Sequence, residues 1–359
     1  MSQKLPIATV AGIRVYVHWT FSLLVLWIIV SGVRAGSGAL DIAWSLLFVL
    51  SMFTCVVLHE LGHALAARRY GIKTRDITLL PIGGVASLES MPEKPSEELV
   101  VALAGPAVNF VIALLLLPVV SALPNASQVE QLNTIHAGNF LLALLSVNLV
   151  LALFNLLPAF PMDGGRVLRA LLAMRLPRAQ ATRVAALVGQ LCAVGFVVLG
   201  FTSNPMLALV GIFIFVGAQS EASYTNTKSM LAGYTVRDVM LREFRTIEAG
   251  STVGSAVQLL LDTQCRTFLV TEESTPVGIL TREAIIRALS EAGDGALVRQ
   301  AMDPELLALG PELPLDEAFQ RMNQQRKELM PVMEGGQLVG ALDHENVAEF
   351  VMILTAKAK

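Results

Sequence analysis

Residues 43–63 read AWSLLFVLSMFTCVVLHELGH. The first sixteen positions, Ala43–Leu58, carry no charge, and the run then meets three ionisable groups: His59, Glu60 and His63. With its flanks it is long enough to be read as a helix that crosses a membrane. On that helix His59 and His63 are four apart and share a face. Both imidazoles can therefore bind one Zn²⁺, with Glu60 beside them as a base toward water. Ionisable groups in such a helix are costly unless a metal or a partner compensates them. The bland alternative is a helix end emerging into water, with all three side chains solvated.

Outward from this stretch the chain stays apolar. Of its 359 residues 54% are hydrophobic, and the mean hydropathy is +0.62, a membrane-protein composition. Charge is uneven: residues 1–225 hold 23 of the 55 charged side chains and residues 226–359 hold the other 32. The expected fold is a polytopic α-helical membrane protein followed by a soluble α/β part. Six transmembrane helices are predicted, at about 15–34, 42–67, 98–122, 138–157, 183–201 and 205–222, each near the ~20 residues that span ~30 Å of hydrocarbon. A re-entrant pair would also fit the last two. The predicted boundaries are 1–222 for the membrane part, 223–234 for a linker, and 235–293 and 294–353 for two soluble modules.

Lys and Arg set the orientation. Arg68, Arg69, Lys73 and Arg75 follow the second span, and five Arg between 166 and 183 separate the fourth from the fifth. The loop Leu123–Ala137 has no Lys or Arg. Positive-inside bias places both termini and the soluble part in the cytoplasm of a cell-membrane protein, with Arg34 as a mild exception. His59 then lies ten residues from Arg69, roughly 15 Å along a helix, which puts a metal about halfway into the bilayer, nearer the cytosol. Met1–Arg14 does not read as a cleavable signal peptide. Cys55, Cys192 and Cys265 fall in separate segments and make no disulfide framework. Cys55 lies one turn before His59 on the same face, and reads as a small buried side chain rather than a ligand.

A catalytic zinc takes three protein ligands and keeps a position for water. The candidate for the third is Asp163, in NLLPAFPMDGGR (Asn155–Arg166), which follows the apolar run Phe140–Leu157. Asp before Gly-Gly is equally a turn former or helix N-cap, and that alternative stays open. His59, Glu60 and His63, with Asn155, Pro158 and Asp163–Gly164, resemble the site-2 protease family of intramembrane zinc metalloproteases, in its minimal prokaryotic branch that includes the sporulation stage IV protease. The resemblance spans roughly residues 8–222. It implies hydrolysis of a peptide bond within or beside a transmembrane segment. His59, His63 and Asp163 would be zinc ligands, Glu60 the general base and Asn155 a polar group near the substrate carbonyl.

Between the second and third spans, DITLLPIGGVASLE (Asp76–Glu89) reads as a β-hairpin. At membrane depth its backbone must be covered or line a cavity. Pairing of its edge with an unwound substrate segment and an ordinary interfacial connection are both consistent with it. Ala104-Gly105-Pro106 and Asn109 in the third span read as close helix packing. Asn148, two turns before Asn155, reads as structural. His18 with Trp19 reads as an interfacial anchor; His136 and His344 have no ligand-like neighbours in the sequence.

The soluble part is an internal repeat. A shift of 62 residues superimposes Val236-Arg237-Asp238-Val239-Met240 on Val298-Arg299-Gln300-Ala301-Met302, and Val277-Gly278 on Val339-Gly340. Such self-similarity marks duplicated modules that pack on each other. The repeat resembles a pair of CBS (cystathionine-β-synthase-type) modules, which implies adenine nucleotide binding and regulation of an attached domain. The family's phosphate and ribose motif is half kept in each unit. Gly278-Ile279-Leu280-Thr281 is followed by Ala284 where a carboxylate is expected, and Gly340-Ala341-Leu342 by Asp343 in place of Thr, then Asn346. Thr281 and Asn346 are the implied nucleotide contacts. A dimerisation or substrate-docking module is the alternative.

The expected protein is therefore a zinc metalloendopeptidase in the lipid bilayer. Its partners would be a membrane-anchored protein substrate, an adenine nucleotide and a second copy through the CBS pair, with no nucleic acid. A CBS-regulated transporter would leave HELGH and the distant Asp-Gly unexplained, and shows no inverted repeat. A catalytically dead receptor would lack a ligand or the base, and all four residues are present.

Overall fold

The structure, a computed structural model, describes residues 4–81, 83–88, 91–122, 135–263, 265–325 and 327–357. The chain divides into two compact units, Met1–Ser223 and Tyr224–Lys359.

The first unit opens on a sheet. Strands β1 (Lys4–Val10) and β2 (Ile13–His18) turn around Ala11 and Gly12, both at positive φ. β2 runs parallel to β3 (Thr74–Leu80), and β3 pairs antiparallel with β4 (Gly83–Leu88), giving the order β1-β2-β3-β4. The sequence predicts only the second hairpin, of which Ile82 and Glu89 lie outside the described residues. It also predicts helix from residue 15, where the structure has strand. The reason is in IRVYVH: its alternation buries Ile13 and Val15 and pairs the backbone on both sides. Ile13 and Ile77 pack on Leu61 and Ala64, in the turns that carry the HELGH motif.

Among the described residues seven helices follow the start of the sheet: α1 (Phe21–Arg34), α2 (Ala39–Arg68), α3 (Pro95–Ser121), α4 (Phe140–Asn155), α5 (Asp163–Ala173), α6 (Arg178–Thr202) and α7 (Pro205–Leu231). Four of them, α2, α3, α6 and α7, are long and apolar enough to cross a membrane. Mid-helix leucines such as Leu114, Leu115 and Leu191 are about two-thirds exposed, an outward apolar surface that suits lipid rather than water. The other two expected spans are shorter: α1 has 14 residues and α4 has 16, below the ~20 that a perpendicular crossing needs. Residues 123–134 of the loop read as lacking Lys and Arg lie outside the described residues. α5 is not among the predicted spans. It is short and amphipathic, and Asp163 stands in its first turn, where an acidic group suits the helix dipole.

The second unit is α/β. Its elements are α8 (Val236–Val239), β5 (Thr246–Glu248), α9 (Val253–Asp262), β6 (Thr267–Glu272), β7 (Thr275–Thr281), α10 (Arg282–Ala292), α11 (Val298–Ala301), α12 (Leu315–Gln325), β8 (Leu329–Glu334), β9 (Gln337–Asp343) and α13 (His344–Lys357). The 62-residue shift holds in three dimensions. Thr267 pairs with Thr281 as Leu329 pairs with Asp343, and both ladders slip at equivalent positions. The short helices are exchanged. Val236 donates to Leu313 O and Arg237 to Pro311 O, while Val298 donates to Ser251 O and Arg299 to Ala249 O. Each module's first turn thus packs in the other's core: Val236 and Val239 with Leu315 and Val332, Val298 with Val253 and Val270.

Candidate metal centre

His59 and His63 are buried on α2 because α3 lies against that side of the helix, while Ile13 and Ile77 of the sheet cover the side of Leu61 and Ala64. The approach of α3 is close. A Cβ on Gly62 would lie 2.7 Å from Ala104 O, and one on Gly105 would lie 2.2 Å from His63 Nε2 and 2.7 Å from His59 Nε2. Gly105 is therefore a place where only hydrogen fits, directly over the two imidazoles. Asp163 arrives from α5. The first turn of that helix is pressed onto the preceding loop, since a Cβ on Gly164 would lie 2.2 Å from Leu157 O.

The three side chains converge on one point. His63 Nε2 lies 3.1 Å from His59 Nε2 and 3.1 Å from Asp163 Oδ2, and His59 Nε2 lies 3.2 Å from the same oxygen. Among the described residues this is the one group of His, Cys, Asp or Glu with metal-site geometry. The other ring nitrogens settle the tautomers. His59 Nδ1 lies 2.5 Å from Asn109 Oδ1, and His63 Nδ1 lies 2.7 Å from the Val101 carbonyl oxygen. Both partners only accept, so both Nδ1 atoms donate, and neutral rings then turn their Nε2 lone pairs inward. Two lone pairs and a carboxylate oxygen at such distances repel unless a cation sits among them. A tetrahedral zinc with bonds of ~2.0–2.1 Å needs donors about 3.3 Å apart, close to the separations found. The residues fit the metal.

Around the triad each polar atom is held. Asn109, fully buried, donates through Nδ2 to Asn148 Oδ1 at 2.8 Å. Asn148 Nδ2 in turn donates to Leu144 O at 2.8 Å and faces Cys55 Sγ at 3.4 Å. The ring α2–α3–α4–α2 is closed by hydrogen bonds, and Cys55 is an end of it, clear of the ligand group. Asp163 Oδ1 faces Arg166 Nη1 at 3.8 Å, which leaves Oδ2 for the imidazoles. Glu60 is half-buried, and its Oε2 accepts the Ala86 N–H of β4 at 3.1 Å. β4 lies tight on α2 here: a Cβ on Gly84 would lie 2.9 Å from Val56 Cγ1 and 3.0 Å from Glu60 Cγ.

Asn155 ends α4, and its amide donates to Leu151 O at 3.0 Å. In the second unit, Thr281 caps α10 by accepting from Ala284 N at 3.2 Å. Asn346 donates from its backbone to Asp343 Oδ1 at 2.7 Å and from its side chain to Val239 O at 3.3 Å. Both implied nucleotide contacts thus also serve the fold.

Asn109, Gly105 and the Ala86 N–H are the site groups that sequence reading missed or assigned to packing. For Asn109 there was a signal: an amide in mid-membrane needs a partner. For a backbone N–H there was none.

The chain is similar to known proteins along nearly its whole length. The family profile described as Peptidase family M50 matches residues 47–136 and 119–199, and that of the CBS domain matches residues 236–291 and 298–353. A zinc metalloprotease of Methanocaldococcus jannaschii is 31% identical over 358 residues, 99% of this chain and 98% of its own. The stage IV sporulation protein FB of Bacillus subtilis is 31% identical over 137 residues, 38% of this chain and 44% of its own. Among solved structures, the site-2 protease from Methanocaldococcus jannaschii is similar at 38% identity and a TM-score of 0.45, over 61% of this chain and 95% of that one. With near full-length similarity to a zinc metalloprotease and both profiles matched in order, the chain belongs to peptidase family M50, the site-2 type of zinc metalloprotease, and carries a tandem pair of CBS domains.

Proposed function

We propose that the chain is an endopeptidase that hydrolyses a peptide bond within or next to a transmembrane segment of a membrane-anchored protein, releasing a soluble factor. The observation that carries this reading is the buried His59–His63–Asp163 triad, whose two His stand on a helix of membrane-crossing length. His59 and His63 would hold the metal through Nε2 and Asp163 through Oδ2. When bound, Zn²⁺ supplies Lewis acidity, which lowers the pKa of a water and polarises a carbonyl. Glu60 removes the proton of the attacking water and returns it to the leaving amine. With Oε2 engaged by Ala86, Oε1 is the oxygen that takes the proton. Asn155 has a second amide N–H for the carbonyl oxygen as charge develops there. A donor of this kind is worth ~3 kcal/mol elsewhere.

A helical substrate hides its carbonyls in intrahelical bonds, so it must unwind first. β4 is the outer strand of its sheet and lies against Glu60. Addition of the unwound segment along β4 replaces the lost hydrogen bonds at the place where the base stands. In this reading α1 and α4 complete six spans with the flanking residues, the sheet lies at the membrane, and both termini and the CBS pair are cytoplasmic. The CBS pair modulates the protease through an adenine nucleotide, with Thr281 and Asn346 as contacts, or through association of two copies.

The test is a mass-spectrometric map of products after the purified protein meets single-span substrates in lipid vesicles. A cut inside or within a few residues of the span is expected. Cuts confined to water-exposed segments would overturn the reading.

A further inference from the structure

Behind the triad, four ionised side chains meet where α3, α5, α6 and α7 come together. Glu98 is fully buried and Arg169 is 2% exposed. Arg169 Nε and Nη2 lie 2.8 and 2.5 Å from Glu98 Oε1, and Arg169 Nη1 pairs with Glu221 of α7. Arg178 Nη2 stands 3.2 Å from Glu98 Oε2, an ion pair without hydrogen-bond alignment. The Arg169 guanidinium also lies over the Phe160 ring, 5.1 Å from its centroid. Two positive and two negative groups make a neutral set. Loss of one member of such a set leaves an uncompensated buried charge.

Its place on α5 matters. Asp163 opens this short helix and Arg169 lies six residues on, roughly 9 Å along the axis. α7 touches both ends of the segment. A Cβ on Gly217 would lie 2.5 Å from Pro161 Cδ, two residues before Asp163. Glu221, one turn further along α7, holds Arg169. Between them Leu168 and Leu172 pack in the same cluster as Ala218 and Ala222. The first unit ends at Ser223, two residues past Glu221, while α7 continues to Leu231.

We propose that Arg169 and Glu221 are positioning residues for Asp163. Through the Glu98–Arg169–Glu221 cluster and the Gly217–Pro161 contact, α7 fixes the rotation and depth of α5 and so the placement of the third metal ligand. This rests on the reading of His59, His63 and Asp163 as ligands. α7 is also the covalent route into the CBS-bearing unit, so a change imposed on this helix reaches the metal without touching the triad.

The experiment is a Co²⁺ titration of the full chain in detergent, in a Glu60→Gln background so that metal binding is read apart from turnover. Glu221→Gln is expected to weaken Co²⁺ about tenfold or more and to shift its ligand-field bands, with Glu221→Asp recovering most of both. In the Glu60-intact enzyme the same change lowers kcat and leaves KM in place. A purely structural role would lower the unfolding temperature and leave the Co²⁺ bands unmoved, and that result would overturn the proposal. If Glu221→Gln lacks a cooperative unfolding transition, Gly217→Ala, which keeps every charge, carries the same expectation. Asp163→Ala is measured alongside. If it binds Co²⁺ like the parent, the ligand reading itself fails; if it loses Co²⁺ while Glu221→Gln does not, only the positioning role fails.

Discussion

At the scale of single residues, Asn109 stands directly behind His59, one of the three proposed metal ligands. Its carbonyl oxygen fixes the proton of His59 on Nδ1, and its amide nitrogen is fixed in turn by Asn148. Outer partners of this kind contribute roughly 10–100-fold to metal affinity. Asn109→Leu is therefore expected to weaken zinc by one to two orders of magnitude in a chelator competition, with the helical circular dichroism retained. Unchanged affinity would mean that Asn109 only packs. Gly105→Ala is harsher, because the new Cβ falls on His63 Nε2; zinc counted by mass spectrometry should drop toward zero. The pairing of His59 with His63 was legible in the sequence, since two His four apart on a helix state a chemistry; Asp163, which the structure brings beside them, stood out only through the ligand count and the family resemblance. The role of Asn109 was not legible, because an amide in an apolar helix looks the same whether it bridges helices or orients a ligand.

At the scale of elements, the proposed mechanism gives the edge strand β4 a part through its contact with Glu60. Ala86→Pro removes one N–H, the one that Glu60 accepts. Proline is tolerated on an edge strand where the N–H points away from the ladder. Cleavage is expected to fall about tenfold, ~1.4 kcal/mol in the barrier, while zinc content stays at the parent level. Gly84→Val should do the same by lifting β4 from Val56 and Glu60. Normal cleavage by both variants would remove β4 from the mechanism. The long apolar helices were legible from length and composition alone. β1, β2 and α5 were not: β2 is an alternating segment that joins a long apolar run, and α5 is amphipathic and too short to read as a span. What decides both is pairing and packing with segments 60 to 100 residues away.

At the scale of the whole molecule, the repeat at 62 residues was legible because duplicated modules keep their spacing, but the exchange of first turns was hidden, since either module could hold either turn. One titratable group in this part yields a signed prediction. Burial pushes the Asp343 carboxyl above its ordinary value, and the N–H of Asn346 offsets this only in part. A group raised in the folded state favours folding most below its unfolded pKa, and that contribution is lost as pH rises through the folded value. Asp343→Asn keeps an N-cap oxygen and carries no charge, so it should raise the calorimetric transition of the second unit at neutral pH. The gain should shrink as pH falls into the ordinary carboxylate range. The same calorimetry with millimolar ATP, ADP and AMP tests the nucleotide role; no shift with any of them would leave association of two copies or substrate docking as the role of the CBS pair.

In the proposed mechanism a zinc held by His59, His63 and Asp163 works with Glu60 to cut a peptide bond. It is tested most directly by comparing purified parent and Glu60→Gln proteins on a panel of single-span membrane proteins, with zinc counted in both. About one zinc is expected in each, as a three-ligand catalytic site requires, with products from the parent alone. Cleavage by Glu60→Gln at the parent rate, or neither protein retaining zinc, would contradict it.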